Sequence, residues 1–389
     1  MFENFINNIF SINNVDSFKV WIIAGIKFKI KNKFKILQNN INFVSNQINN
    51  LKQNIEDKTC DIQNNLSAVQ DSVFSINHRL LYNKFCSEFN YIKNFYNDCN
   101  NLDLYEKYFN LINNLDSNSV DTVNRIIARI KQICTSEQQY YDFFDDKEID
   151  KIENNCKNFY RKIFNLKENC WSYNKYFLPI NHFEPCVFID KHFIDLTKTD
   201  YFKDKVIIDA GAFIGDSAII LSDYTNKEVH SFEPTSENYN NLIKTITLNK
   251  KENKIVPVKF GLGAETQEID FNINSSASGI LETNYSHKET CKIITLDDYV
   301  ITNNLEVGLI KTDLEGFEQY FLKGAERTIK SQRPTLLISI YHTASDFFNI
   351  KPLIESWDLN YDFKIIKPAD GQVLLETVLI CEQKEINND

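Results

Sequence analysis

Apolar positions along this chain follow three rhythms. From Ile41 to Leu80 they recur every three or four residues, through Val44, Ile48, Leu51, Ile55, Ile62, Leu66, Val69, Val73 and Ile76. Lys58 holds one seam position, and a four-residue step interrupts the heptads near Leu66. This period predicts either a coiled coil, and with it a homo-oligomer, or one long helix packed on its own domain. From Leu81 to Phe177 the spacing stays helical but turns aromatic, with Phe85, Phe89, Ile92, Phe95 and Tyr96, then Val120, Val123, Ile126 and Ile130. Asp116-Ser-Asn-Ser119 punctuates it as a turn and N-cap, and the segment predicts a helical bundle.

The third rhythm is short and β-branched. Runs at 206–208, 229–232, 255–258, 308–313, 334–340, 363–366 and 373–381 alternate with helices opening at Asp216, Thr235 and Glu315. Asp370-Gly371 reads as the turn joining the last two strands. The order predicts an α/β fold, a doubly wound, mostly parallel sheet with an antiparallel terminal hairpin. Four segments follow: a basic and apolar stretch at 1–36, a coiled coil at 37–80, a helical region at 81–178 and the α/β domain at 179–389. In the first, Lys27, Lys29, Lys31, Lys33 and Lys35 alternate with Phe28, Ile30 and Phe34, a period of two that predicts a solvated edge hairpin. Contact with an anionic membrane is the less favoured alternative, since interfacial helices need a period near ~3.6.

Composition narrows the partners. The 389 residues carry 43 Lys+Arg and 53 Asp+Glu, a formal charge of −10, which disfavours nucleic acid. Nine dispersed cysteines without paired spacing, and no secretory leader, point to reduced thiols in a cytoplasm, with the inner-membrane periphery as a minor alternative. No apolar run reaches the ~20 residues that span a bilayer. Abundant Asn, Lys and Ile fit an AT-rich, bacterial coding genome.

The chemistry gathers at the ends of the predicted strands. Asp209 ends one, and Gly211 and Gly215 turn the chain into the helix that Asp216 and Ser217 begin. A dinucleotide turn needs a glycine where Phe213 stands, and an acid before the turn repels a pyrophosphate while pairing with a cationic amino-acid ligand. Glu233 ends the next strand, placed to accept hydrogen bonds from ribose hydroxyls. These features favour S-adenosyl-L-methionine over NAD. Asp313 and His342 end two further strands, so Asp209, Glu233, Asp313 and His342 should converge on one cleft. His182 and Glu184 read as a connector or as the lip of that cleft, and Ser276-Ala-Ser-Gly279 as a surface turn or a closing loop.

Asp209-Ala-Gly-Ala-Phe-Ile-Gly215, Phe232-Glu-Pro234, Thr295-Leu-Asp297, Ile310-Lys-Thr-Asp-Leu-Glu-Gly-Phe-Glu318 and Arg333-Pro334, in this order, resemble the FkbM family of S-adenosylmethionine-dependent methyltransferases. The resemblance covers about residues 180–382. It implies a class I methyltransferase fold and O-methylation of a sugar or another small-molecule acceptor. Where the family usually carries Asp-Val-Gly-Ala-Asn, this chain has Asp209-Ala-Gly-Ala-Phe213, which reshapes the wall beside the cofactor. By resemblance and position, Asp209, Gly211, Ala212, Phe213, Gly215, Asp216, Ser217 and Asp313 cradle the methionine end of the cofactor. Glu233 and Pro234 serve the ribose, and Gly261 and Leu262 border the adenine. Methyl transfer to a hydroxyl needs alignment and a proton acceptor, for which His342, Asp313 and Glu315 are the candidates. No metal site is expected.

Overall fold

The computed structural model describes residues 27–100, 103–135, 143–191, 196–272 and 288–384, with the side chains of 27–36, 60, 64–87 and 156 outside that description. The chain divides into two compact units, Met1–Ile76 and Asn77–Asp389. Among the described residues no helix is long and apolar enough to cross a membrane.

A single helix, α1, runs Lys27–Asn100. Its start corrects the edge-hairpin expectation. From Lys27 the backbone is helical, because lysine is a good helix former and continuity with the heptad seam outweighs a short alternation. Within the first unit the seam stays in solvent: Val44, Leu51, Ile55 and Ile62 are 53%, 59%, 65% and 66% exposed.

In the second unit, the end of α1 buries Ile92 and Phe95, the latter against Phe347 and Phe348. Helices α2 (Leu104–Ile112), α3 (Ser117–Thr135) and α4 (Asp146–Asn158) bear out the helical spacing. The region does not stay helical to 178. β1 (Phe164–Lys167), β2 (Cys170–Tyr173) and β3 (Tyr176–Leu178) form an antiparallel meander. Asn169 and Asn174 sit at φ 55° and 52° in its turns, the left-handed conformation asparagine tolerates.

After a helical turn at Pro185–Phe188, the α/β layer follows in chain order. It comprises β4 (Val206–Ala210), α5 (Asp216–Leu221), β5 (Val229–Phe232), α6 (Ser236–Leu248), β6 (Ile255–Val258), β7 (Gly261–Leu262), β8 (Gln267–Asn272), β9 (Lys288–Ile294), α7 (Leu296–Thr302), β10 (Val307–Thr312), α8 (Glu318–Gln332), β11 (Thr335–Ser339), α9 (Ala344–Glu355), β12 (Tyr361–Ile366) and β13 (Val378–Gln383). The main sheet is seven-stranded, in the order β12-β13-β11-β10-β4-β5-β6, and β13 alone runs antiparallel to its neighbours. β7, β9 and β8 form a separate three-stranded sheet.

Strands covered on both faces explain the unbroken apolar runs: every residue of β4, β10 and β11 is buried. α8 stops at Arg333, at φ 46°, because the residue before Pro334 cannot continue a helix. β13 begins later than the apolar run from Val373 predicts. The backbone N–H groups of Val373, Leu374 and Leu375 donate instead to the buried Glu88 carboxylate of α1, at 2.6, 3.1 and 3.4 Å. From β4 the chain winds outward through β5 to β6, then returns to the other side of β4 at β10. That reversal is the switch point where a crevice opens beyond the strand ends.

Candidate active site

A cleft of about 430 Å³ opens there. Along the sheet its wall runs from Glu233 after β5, through Gly211 after β4 and Asp313 after β10, to Tyr341 after β11 and Glu376 before β13.

The turn after β4 is shaped by contact. Gly211, at φ +79°, has no room for a side chain, since a Cβ would lie 1.9 Å from the Asp313 carbonyl oxygen. The two loops flanking the switch point therefore touch through backbone. Phe213, at φ 47°, lines the cleft with its ring edge-on to His182 at 4.9 Å. Asp216 and Ser217 line it from the first turn of α5.

Three residues expected at the cofactor stand behind this wall. Asp209 is fully buried and does not line the cleft; it accepts hydrogen bonds from the Ser217 hydroxyl at 3.0 and 3.1 Å and pairs with Lys311 at 3.3 Å. Burial lifts its carboxyl above the usual range, with Lys311 and Ser217 opposing. Lys311 also donates to the Gly211 carbonyl at 3.1 Å, so the pair tensions the turn from beneath. Ala212 is core, its N–H donating to Phe232 at 2.9 Å. Gly215 faces α6, where a Cβ would meet Leu242 at 2.6 Å. The sequence shows a strand end and a turn but not which side chains point inward.

Glu233 does line the cleft. Its carboxylate accepts from the Thr235 N–H at 2.9 Å and hydroxyl at 2.6 Å. Burial pushes its carboxyl up to about 7, against the hydrogen bonds that favour the charge. Pro234, Gly261 and Leu262 continue the wall, joined by Phe232, Phe271 and Ile293. A buried acid beside a flat apolar slot fits a ribose and its attached base.

The stretch from Lys311 to Glu318 divides its labour. Lys311 braces Asp209. Asp313 lines the cleft and accepts from the Tyr341 hydroxyl at 3.0 Å. Glu315, at φ 53°, lines it too and accepts from Tyr91 of α1 at 3.5 Å. Glu318 is fully buried and accepts the N–H groups of Leu314 and Gly316 at 2.7 and 3.0 Å, fixing the loop. Asp297 of the Thr295-Leu-Asp297 signature is structural as well, accepting from the backbone of Arg327 and Thr328.

His342 corrects the expectation of a general base. Its side chain is 2% exposed and absent from the cleft wall. Nε2 lies 3.2 Å from Asp313 and 3.7 Å from Glu315, and Nδ1 lies 3.2 Å from Glu318. Burial alone would lower its pKa, but the three carboxylates hold it well above 6.5. An imidazole held in its charged form by these carboxylates has no lone pair for an acceptor proton. His342 instead positions the carboxylates, and it holds Asp313 down to about 2 despite that group's burial.

His182 and Glu184 do form the lip. Tyr91, Lys311, Tyr341 and Glu376 were missed by the motif reading. The first and last come from a helix and a connection outside any motif, and Lys311 reads as an ordinary strand residue until its burial is seen. Two groups of three, Glu184, Cys186 and Glu376, and Asp313, Glu318 and His342, bring their potential ligand atoms within 4.8 Å. In the second, both ring nitrogens already face carboxylates. The loop 276–279 lies outside the described residues.

Residues 209–365 match the family model of the methyltransferase FkbM domain. The chain carries an FkbM methyltransferase domain. Its cofactor is S-adenosyl-L-methionine, and the residues present fit that group: a buried acid for the ribose, an apolar slot for the adenine, and a carboxylate-rich end for the sulfonium and ammonium. Among solved structures, a methyltransferase FkbM from Methylobacillus flagellatus KT is 18% identical, covering 68% of this chain and 60% of that one at a TM-score of 0.40. The chain thus spans less than two thirds of that relative's length. A tRNA m1G37 methyltransferase from M. jannaschii is 14% identical over 58% of each chain at a TM-score of 0.31. A precorrin-6y C5,15-methyltransferase from Geobacter metallireducens GS-15 is 12% identical, covering 50% and 88%, at 0.32. A comparison with curated proteins gives no match.

Proposed function

We propose that the protein is an S-adenosylmethionine-dependent O-methyltransferase acting on a sugar hydroxyl of a bacterial glycan or its precursor. One observation carries the choice of acceptor. Besides Asp313 the described wall presents Glu184, Glu315 and Glu376 with the rings of Tyr91 and Phe213, and its single ammonium, Lys311, is paired with Asp209. Carboxylates repel an anionic acceptor near the reacting atom and accept hydrogen bonds from hydroxyls, while aromatic faces take sugar rings. Bound in the cleft, S-adenosyl-L-methionine supplies a methyl carbon activated by its sulfonium. Gly211 lets backbone approach it, Glu233 holds the ribose, and Asp313 stays ionised to face positive charge. An amine or a non-sugar metabolite suits the same carboxylates and is the second reading. A degenerate scaffold is disfavoured by the intact Gly211, Glu233 and Asp313.

The test is methyl transfer from labelled cofactor to a panel of neutral glycans, nucleotide sugars and amines. Labelling of a glycan hydroxyl supports the proposal; labelling of amines alone overturns it.

The partner we propose for the first unit is a second copy of the chain. In heptad terms Ile41, Ile48, Ile55 and Ile62 take four successive a positions, and Leu37, Val44 and Leu51 fall at d, with Lys58 at the next d. Isoleucine at a with leucine at d favours two parallel strands. Fourteen such side chains, hiding roughly 60–120 Å² each, bury on the order of 1,000 Å², near the lower bound of specific interfaces. The six described cysteines are free thiols, which supports the cytoplasm as the compartment.

A further inference from the structure

We propose that Glu376 is the group that takes the acceptor proton; this rests on the methyltransferase reading. Its place in the fold is the first ground. Glu376 lies two residues before β13, whose antiparallel direction starts it at the same sheet edge where the parallel strands end. It lines the cleft on the far side of Asp313 from Glu233, the end left for an acceptor.

The backbone is the second ground. Glu376 stands at φ 66°, a conformation unfavourable for a side chain of this size, and persists because its neighbours are pinned. Glu88 of α1 accepts the N–H groups of Val373, Leu374 and Leu375, and the Thr377 hydroxyl donates to the Leu374 carbonyl at 2.5 Å. The carboxyl is thus delivered from a braced connection.

The surroundings are the third ground. Glu184, Cys186, Asp313, Asp370 and Tyr341 face Glu376 electrostatically, and Lys367 is the opposing cation. Burial first, then Glu184, Asp313 and Asp370, raise the carboxyl to about 8. A general base works best when its pKa lies near the operating pH. Asp313, at about 2, is a weak base committed to His342 and Tyr341. Glu315 shares His342 and Tyr91.

The step balances. The acceptor O–H proton passes to the Glu376 carboxylate while the oxygen bonds to the methyl carbon. The carbon–sulfur bond breaks with its electron pair left on sulfur, giving a neutral thioether, and Glu376 later releases its proton to water.

Glu376→Gln tests this in the full chain. With a glycan acceptor, kcat should fall ~100-fold or more, KM for the cofactor should stay within about twofold, and the rise of kcat with pH near 8 should vanish. Glu376→Asp, which keeps a carboxylate, should restore part of the rate. A second readout needs no turnover. Infrared titration of the cofactor-free protein should show a protonated carboxyl lost with a midpoint near 8 and missing in Glu376→Gln. If wild type transfers methyl and Glu376→Gln keeps its rate and pH profile, Glu376 is not the base and the methyltransferase reading stands. If wild type transfers methyl to nothing, both fall. If no carboxyl titrates near 8, the proposal falls whatever the rates.

Discussion

The helix of the first unit and the strands around the switch point use the same residue types to opposite ends. Ile55 and Ile62 of α1 are 65% and 66% exposed, while Ile207, Ile208 and Ile338 are fully buried. Both segments announce themselves by a period. In the sheet, the helices that cover each face lie in the same chain, so the pattern is fulfilled on folding. In the first unit the seam repeats just as clearly, yet among the described residues Val44, Leu51, Ile55 and Ile62 stay in solvent. A hydrophobic period therefore specifies a face, and only the topology says whether the chain can hide it.

The largest expected effect lies in the sheet unit. His342→Ala leaves three carboxylates without their cation, which should cost about 3–5 kcal/mol of unfolding free energy, read by denaturant titration. The imidazolium's contribution is fully present below about 6.5 and is lost as pH rises through its raised folded value, so the deficit should be widest in mild acid. A variant as stable as wild type would show that the cluster is not held by this charge.

Close behind comes a paired substitution that sets the two regions against each other. Ile338→Ala should destabilise by about 2–5 kcal/mol at every protein concentration. Ile48→Asp with Ile55→Asp should leave the unfolding of the α/β domain unchanged and convert a dimer to a monomer in sedimentation. If wild type already sediments as a monomer, the second copy is not the occupant of the seam.

Smaller again is Glu233→Ala, expected to weaken cofactor binding by ~1.5–3 kcal/mol. Unchanged affinity would remove Glu233 from the ribose. It is the cofactor-side counterpart of Glu376, since one acid should change binding and the other the rate.

The strands of the main sheet were legible from residue 206 onward because buried parallel strands leave continuous apolar runs, and Gly211, Glu233 and Asp313 carry their position with them; the separate sheet β7-β9-β8 and helices α7 and α9 were not read. Failures came where a different interaction took over. The run from Val373 reads as strand, but its N–H groups belong to Glu88, some 280 residues earlier. His342 reads as a base by pKa habit, but Glu318, a buried neighbour on another element, keeps it charged. Asp209 reads as a ligand because it ends a strand, and it is turned inward by Lys311 and Ser217. Each of these three misses is a side-chain direction or a long-range partner, which local periodicity does not encode.

The central claim is that this cleft holds S-adenosyl-L-methionine, and calorimetric titration tests it most directly. The purified chain should bind S-adenosyl-L-methionine and its demethylated product with about micromolar affinity, roughly −8 kcal/mol, and should show no heat with NAD. Binding of NAD, or of neither methyl donor nor product, would contradict the account.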